Sequence, residues 1–165
     1  MNFFKKLFSS KKRNPFNEDA TTLSQQLHDD NVIFSGMLHS IDLDYELTSL
    51  KELDYYLLKV RLHFHIKNQD AESMREKGVL MNELTPTILS VGAYLGETLR
   101  KQNKKLNWTE NTQQLDTGTA TPSFAALVLT DKTNTISPMQ EVINFIYDKQ
   151  QPKSLYQYAQ EILSL

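Results

Sequence analysis

The feature that most constrains the fold of this chain is an apolar periodicity that contains two glycines. Apolar residues recur at spacings of three and four, the period of one helix face, at Leu80, Leu84, Ile88, Val91, Leu95 and Leu99. Gly92 and Gly96 lie four residues apart and share one side of that helix. Glycine in a helix interior costs about 1 kcal/mol relative to alanine, so two of them indicate close approach of another backbone. We therefore predict a buried helix that packs along this glycine seam.

Length and composition are those of one globular domain without cross-links. The 165 residues are enough to bury a core, and 39% of them are hydrophobic. There is no cysteine, which excludes disulfides, thiolate catalysis and zinc sites with cysteine ligands. We divide the chain into a basic N-terminal tail and linker (1–19) and a single domain (20–165), and we expect a cytoplasmic protein.

Charge is distributed unevenly along the chain. Residues 1–13 carry five basic residues and no acidic one, whereas the remainder has a formal charge of −7. Because the chain has a basic tail on an acidic body, rather than basic residues clustered on the domain, no nucleic-acid partner is expected, and the acidic body is suited to a basic protein. The tail is expected to pack loosely on the domain; the alternative is weak contact with a membrane surface through Phe3, Phe4, Lys5 and Lys6.

The fold class predicted is α+β: a helix-rich single domain with a small antiparallel β-sheet in the C-terminal half. Helices are expected over residues 21–30, 47–67, 70–83 and 86–103, from Pro138, and from Pro152 onward; strands are expected over 107–116 and 123–130. Asp19 would cap the first helix, and Ser49 and Glu52 have capping-box spacing. At Thr85-Pro86, a cap followed by proline, we expect the central helix to restart or kink. Residues 32–38 fit either a strand or a buried turn.

One segment fits two kinds of secondary structure. From Val60 to Lys67 apolar and polar residues alternate perfectly, which is typical of a half-buried strand. The same residues also continue a longer helical pattern formed by Leu50, Leu53, Leu57, Val60 and Phe64. Because the helical pattern is longer, we predict a helix here.

The sequence holds no motif that identifies an activity. It lacks the phosphate-binding, dinucleotide-binding, nucleophile-elbow and metalloprotease motifs. His63 and His65 would share a face only on a strand and have no defined third ligand, so no metal is predicted. Neither catalysis nor a cofactor is expected.

Two stretches carry a resemblance to other proteins. Residues 43–54 read LDYELTSLKELD, residues 92–97 read GAYLGE before Trp108, and Ser137-Pro138 starts a further helix. This arrangement resembles a widespread family of small uncharacterised bacterial proteins, over roughly residues 40–150, although Glu46 stands where serine is usual. The resemblance implies no established activity, but some relatives look like immunity or accessory proteins of bacterial toxin and secretion systems.

The shared motif residues are either a signature of the fold, which we favour, or a binding site. The binding residues would be Asp44, Asp54, Glu97 and Trp108; the structural ones would be Gly92, Gly96 and Pro138. Two functional hypotheses fit: a non-catalytic protein-binding protein, such as an immunity-type inhibitor that occludes a toxin or effector, or a small-ligand-binding or enzymatic domain with a pocket near Asp44, Glu97 and Trp108. A membrane-surface adaptor anchored by the basic tail is a third.

Overall fold

The computed structural model describes residues 14–70, 73–111, 127–148 and 150–164. Their elements confirm the α+β class, with a three-stranded antiparallel sheet in the C-terminal half. In chain order they are α1 (Pro15–Gln25), α2 (Ser35–Leu38), α3 (Ser49–Asp70), α4 (Met74–Gln102), β1 (Asn107–Glu110), β2 (Leu127–Thr130), β3 (Thr135–Ile136), α5 (Pro138–Tyr147) and α6 (Leu155–Ser164). Within these ranges, none of the helices has both the length and the apolar character needed to cross a bilayer.

Helix α4 is the centre of the core. Every residue from Ser90 to Leu99 is buried, because α1 and α5 pack against this half of the helix and α3 and α6 also contact it. The N-terminal half of α4 is mostly exposed. The predicted apolar face of this helix therefore lies in the core. Polar groups are buried with it, among them Thr98, whose hydroxyl donates to the carbonyl of Tyr94 at 2.9 Å.

The sheet is short, and its outer strand is closed by side chains. The order is β1-β2-β3, with Trp108 opposite Leu129 and Leu129 opposite Ile136. On the free edge of β1, the Trp108 N–H donates to Oδ1 of Asn17 and the Trp108 carbonyl accepts from Nδ2 of Asn14, both at 2.9 Å. Two asparagines thus replace a neighbouring strand and satisfy an edge that would otherwise be open for pairing.

Residues 60–67 are helical, and α3 shows why they also resemble a strand. The side chains of Leu50, Leu53, Leu57, Val60 and Phe64 are buried on the inner face of α3. A second set of apolar residues lies on the opposite face with 48–58% of its surface exposed: Tyr55, Leu58, Leu62 and Ile66, here called the outer stripe. The alternation from 60 to 66 therefore comes from two apolar stripes on opposite sides of one helix.

Helix α1 begins at Pro15, within the segment predicted as a linker. Oδ1 of Asn14 accepts the N–H of Phe16 at 3.0 Å, and Pro15 occupies the first helical position, where its missing N–H has no cost. Asp19, predicted as the cap, lies inside this helix, which ends at Gln25. Residues 1–13, with the predicted membrane contact through Phe3, Phe4, Lys5 and Lys6, lie outside the described residues.

Helix α3 begins at Ser49, close to the predicted start, but without the predicted cap. Ser49 forms no capping box with Glu52; its hydroxyl shares a hydrogen bond with the hydroxyl of Tyr94 at 2.8 Å. The capping box is instead formed by Ser73 and Glu76 at the start of α4.

Helix α4 runs through Pro86 without a restart, and the Thr85 hydroxyl donates to the carbonyl of Met81, one turn earlier, at 3.1 Å. Proline lacks an N–H, so the carbonyl of Asn82, four residues earlier, loses its usual helical partner; Asn82 is an exposed residue.

The other elements differ from the prediction mainly at their ends. Residues 32–38 form a turn followed by α2, and β3 was not predicted. Helix α5 starts at Pro138 as predicted, although the side chain of Ser137 forms no capping bond. Helix α6 starts at Leu155, three residues after Pro152, where the hydroxyl of Ser154 accepts the Gln157 N–H at 3.0 Å. Residues 112–126, which contain the rest of both predicted strands, lie outside the described residues.

Candidate functional site

Glu97 is the centre of a hydrogen-bonded cluster at the C-terminal end of α4. Its side chain is nearly buried, with the residue 8% exposed. Oε1 accepts from Nε1 of Trp108 at 2.7 Å and from Nε of Arg100 at 2.9 Å; Oε2 accepts from Nη2 of Arg100 at 2.8 Å and from the Thr21 hydroxyl at 3.1 Å. Hydrogen bonding to Glu97 raises the pKa of Arg100, which stays cationic. The carboxylate therefore ties α1, α4 and β1 together, with both of its oxygens already occupied.

The glycine seam makes room for that cluster. A Cβ at Gly96 would overlap Cζ2 of Trp108 and lie 3.2 Å from Cγ of Pro138, and one at Gly92 would lie 2.8 Å from Cα of Met139. Trp108 and the first turn of α5 can approach α4 this closely only because both side chains are absent. The structure thus gives Gly92, Gly96 and Pro138 packing roles at this seam.

A pair of stacked tyrosines anchors the loop before α3 to the same region. The rings of Tyr45 and Tyr94 lie 4.6 Å apart at 19°, and the Tyr94 hydroxyl accepts the Tyr45 N–H at 2.8 Å. Burial raises the pKa of the Tyr94 hydroxyl. Tyr45 has a φ of 62°, in the left-handed region that bulky residues rarely adopt, and its own hydroxyl shares a 3.0 Å hydrogen bond with Ser24. These contacts hold Tyr45 in that conformation.

Beside this cluster lies a cleft of about 200 Å³, here called the cationic cleft. It is lined by Thr21, Gln25, Tyr45, Glu97, Arg100, Lys101 and Lys104. Nζ of Lys101 donates to the Asp44 carbonyl at 2.8 Å and to Oε1 of Glu46 at 3.0 Å. In the described part of the chain, Lys104 has no hydrogen bond or ion pair. The cleft combines three cationic side chains with one carboxylate.

The structure brings together only some of the four predicted binding residues. Glu97 and Trp108 are in direct contact, but Trp108 is buried and does not line the cleft. Asp44 is exposed and its Oδ1 accepts the Glu46 N–H at 2.9 Å; it meets the cleft residues only through its carbonyl, which Lys101 binds.

Asp54 serves a separate purpose, the start of α6. Its carboxylate accepts the N–H groups of Leu155 at 2.6 Å and Tyr156 at 3.3 Å. Burial raises the pKa of Asp54, although these two backbone hydrogen bonds act in the opposite direction. Asp54 therefore connects α3 to α6 rather than belonging to a site with Glu97.

The two neighbouring histidines point in different directions, because they lie two positions apart on α3. The ring of His63 contacts Phe34 edge-on, with centroids 5.1 Å apart, and the ring of His65 contacts Phe64 at 5.4 Å. Over residues 14–70, 73–111, 127–148 and 150–164, no cluster of three or more His, Asp or Glu side chains has metal-binding geometry.

Two surfaces were not predicted: the outer stripe and the cationic cleft. The signal for the first was present in the strand-like alternation within a helical segment, which indicates a helix that is apolar on two faces. The signal for the second was the basic set Arg100, Lys101 and Lys104 at one helix end, but Tyr45 and Thr21 reach the cleft only through the tertiary fold.

Comparison with protein-family models, curated proteins and solved structures finds no match to this chain. The resemblance based on the short motifs therefore stays a prediction.

Proposed function

We propose that this chain is a non-catalytic protein-binding protein whose interface is the outer stripe of α3. The observation that carries the proposal is the exposure of Tyr55, Leu58, Leu62 and Ile66, which follow one another at spacings of three and four. Exposed apolar residues in isolation are ordinary, but four that line one helix face form a contiguous surface of the kind found at protein interfaces. An immunity-type inhibitor of a toxin or effector, which the resemblance implies, is one case of this proposal.

A further exposed apolar side chain near α3 is Phe34, whose ring contacts His63. This side chain is 42% exposed and has a φ of 57°, so it is held in a left-handed conformation with its ring against His63. Next to it lies a cleft of about 610 Å³ that Val79 and Pro86 of α4 also line. An exposed aromatic side chain beside such a cleft provides an anchor of the type that dominates binding energy at interfaces.

Charges around the outer stripe select the kind of partner. Lys59 lies over the ring of Tyr55 and Lys51 over the ring of Tyr156, at 5.3 and 4.4 Å. Neither lysine forms an ion pair in the described part of the chain. We infer a partner that presents an amphipathic helix with carboxylates beside its apolar face. This acidic partner differs from the basic partner that the acidic body suggested. The partner would contact the lysines beside the outer stripe, so these local charges matter more than the net charge of the chain.

A second copy of this chain is a poorer occupant. Lys59 lies near the middle of the outer stripe, so two antiparallel copies of α3 would bring their Lys59 side chains together at the two-fold axis. Parallel copies would align each lysine with its own equivalent. Like charges in an interface oppose association, so charge favours a different, acidic protein.

The catalytic alternative has little support in the geometry of its residues. Glu97 is occupied by Trp108, Arg100 and Thr21, and Trp108 is buried. Asp44 contributes only a carbonyl at the edge of the cleft. No pair of free carboxylates converges on a pocket there, as acid–base chemistry would require.

Site-specific photo-crosslinking in the source cells tests the proposal. A photoreactive amino acid replaces Leu62, and a matched position on α6, the exposed Gln160, serves as control. We expect one discrete adduct with a second protein from position 62 and none from position 160. In the Leu58→Glu/Ile66→Glu background, the adduct at 62 should disappear, while in a Gln157→Glu/Glu161→Gln background it should persist.

Three results would contradict the proposal. The same adducts at positions 62 and 160 would indicate non-specific contact. An adduct of twice the chain mass would show self-association, and a cross-link to residues 1–13 would show that the chain covers its own stripe. The purified partner should also bind through an acidic helix. The Lys59→Glu variant should therefore have a lower affinity for this partner.

A further inference from the structure

We propose that the cationic cleft is a binding site for a small phosphate-class dianion, either the free ion or a phosphate monoester. The cleft is formed by residues of α1, by Tyr45 and by the C-terminal end of α4, whereas the proposed protein interface is the outer stripe of α3. The two proposals therefore rest on different residues, and each can fail without the other.

The charges that line the cleft favour an anion. Arg100, Lys101 and Lys104 are cationic, and Glu97 is the one carboxylate among the lining residues. Glu97 is already neutralised by the fork of Arg100 and by two further donors, so it presents no free lone pair to the cleft. The lining retains a surplus of positive charge, carried mainly by Lys104, which no described residue neutralises.

The arginine is held ready before any ligand arrives. Nε and Nη2 of Arg100 bind the two oxygens of Glu97, and Glu97 is itself fixed by Trp108. A guanidinium has five N–H donors, so three remain for a ligand. Because its rotamer is fixed by a buried carboxylate, binding an anion costs little side-chain entropy, which is the advantage of a pre-organised site.

The side-chain amide of Gln25 adds a neutral donor to this charge. The hydroxyls of Thr21 and Tyr45 also line the cleft, but their protons are already donated within the protein, that of Thr21 to Asn17 and Glu97 and that of Tyr45 to Ser24. The volume of about 200 Å³ is below the range of about 300–1,000 Å³ typical of sites for drug-sized ligands. A tetrahedral anion with several acceptor oxygens fits both the volume of the cleft and its donors. Binding such an anion requires no catalytic step.

Stabilisation of a helix dipole does not by itself explain these cations. Basic residues are common in the last turn of a helix because they offset its partial negative charge. Here, however, Lys101 binds the carbonyl of Asp44 in another segment, and Lys104 lies beyond the end of α4 at Gln102. Neither ammonium group caps a carbonyl of α4 among the described residues.

Titration of the full-length protein with inorganic phosphate tests the site. Trp108 is the only tryptophan, so its indole N–H gives one resonance in a nitrogen–proton spectrum, and that group binds Glu97 at the back of the cleft. We expect a saturable shift of this resonance with phosphate, and none with chloride at the same ionic strength. O-phosphoserine in a parallel titration distinguishes the two sources: tighter binding of the ester identifies a monoester, tighter binding of phosphate the free ion.

Two lysine variants, one near each end of α4, and one arginine variant make the test specific. Lys104→Gln should weaken phosphate binding about threefold to fivefold, as expected for loss of one partly exposed charge. Lys77→Gln removes the same charge at the exposed N-terminal end of α4 and should change affinity by less than about twofold. Arg100→Lys keeps the charge but loses the fork, and it should weaken binding more than Lys104→Gln does.

Either of two results would overturn the proposal: a linear, non-saturating response of Trp108 to phosphate, or equal weakening by Lys104→Gln and Lys77→Gln. Thermal unfolding of each variant shows whether it is folded. Lys104→Gln is the decisive variant. No described contact depends on the Lys104 side chain, so weaker binding would come from the lost charge and not from a change in structure.

Discussion

Helices α3 and α4 are both apolar on more than one side, but they use this property differently. From Ser90 to Leu99 helix α4 is buried on all sides, because α1, α5 and other elements of the same chain cover it. Helix α3 is covered only on its inner face, while Leu62 and its neighbours on the outer stripe remain exposed. Apolar residues on several sides of the helix therefore form part of the core in α4, whereas in α3 one set of them stays exposed to solvent.

The comparison separates stability from binding. Apolar groups already removed from water in the folded chain contribute to its stability, and their loss leaves a cavity. Groups that stay exposed contribute little to folding, so their retention on an extended helix face needs another explanation. Each change below tests one side of this distinction.

The largest expected effect is a difference in stability between substitutions on the two faces of α3. Leu57→Ala empties a fully buried position and should lower the free energy of unfolding by about 3 kcal/mol. Leu62→Ala makes the same chemical change five residues later at an exposed position and should cost less than about 0.5 kcal/mol. Urea denaturation of both variants measures the difference. Equal losses would mean that the outer stripe is covered in the isolated protein, which would break the comparison.

The next effect compares the two halves of α4. Gly96→Ala forces a Cβ against the ring of Trp108 and should destabilise the protein by about 2 kcal/mol, even after the gain in helix propensity. Gly78→Ala on the exposed half meets nothing within 4 Å and should stabilise by about 0.5–1 kcal/mol. Opposite signs in thermal unfolding, with altered Trp108 emission only in Gly96→Ala, are expected. Stabilisation by both would contradict the seam.

The smallest effect concerns Asp54, which lies between the two faces of α3 and joins it to α6. Its pKa is raised in the folded state, so the folded protein binds more protons than the unfolded chain between the ordinary and the raised value. Stability should therefore fall as the pH rises through that window and level off above it.

Asp54→Asn removes the titration and keeps an acceptor for the Leu155 N–H, so the stability of wild type relative to this variant should decrease with rising pH across the same range. Urea titrations of both proteins at several acidic pH values measure this difference. A difference that increases with pH would show that the hydrogen bonds to α6, not burial, control this carboxyl.

Several local features were readable from single residues and short spacings. The helix through Leu84, Val91 and Leu99 followed from its period, and the start of α5 at Pro138 from proline at a first helical position. Signals shared by competing structures were less informative. Ser49 and Glu52 have capping-box spacing, yet the Ser49 hydroxyl has a partner in Tyr94, 45 residues away, that no local pattern reveals. Thr85-Pro86 resembles a helix start, but flanking turns of α4 carry the helix through it.

The sequence by itself determined the α+β class and the positions of most helices, because helix period is a local property. The cost of glycine in a helix pointed to a close neighbour at 92 and 96, but Trp108 and Met139, which are that neighbour, come from distant segments. Only the tertiary structure decided which apolar stripe of α3 is buried, and that Glu97 is occupied by Trp108, Arg100 and Thr21 rather than open to a ligand. The physical reason is the same in both cases. Burial and hydrogen-bond partnership depend on which distant segments meet, and a side chain's chemistry does not specify its neighbours.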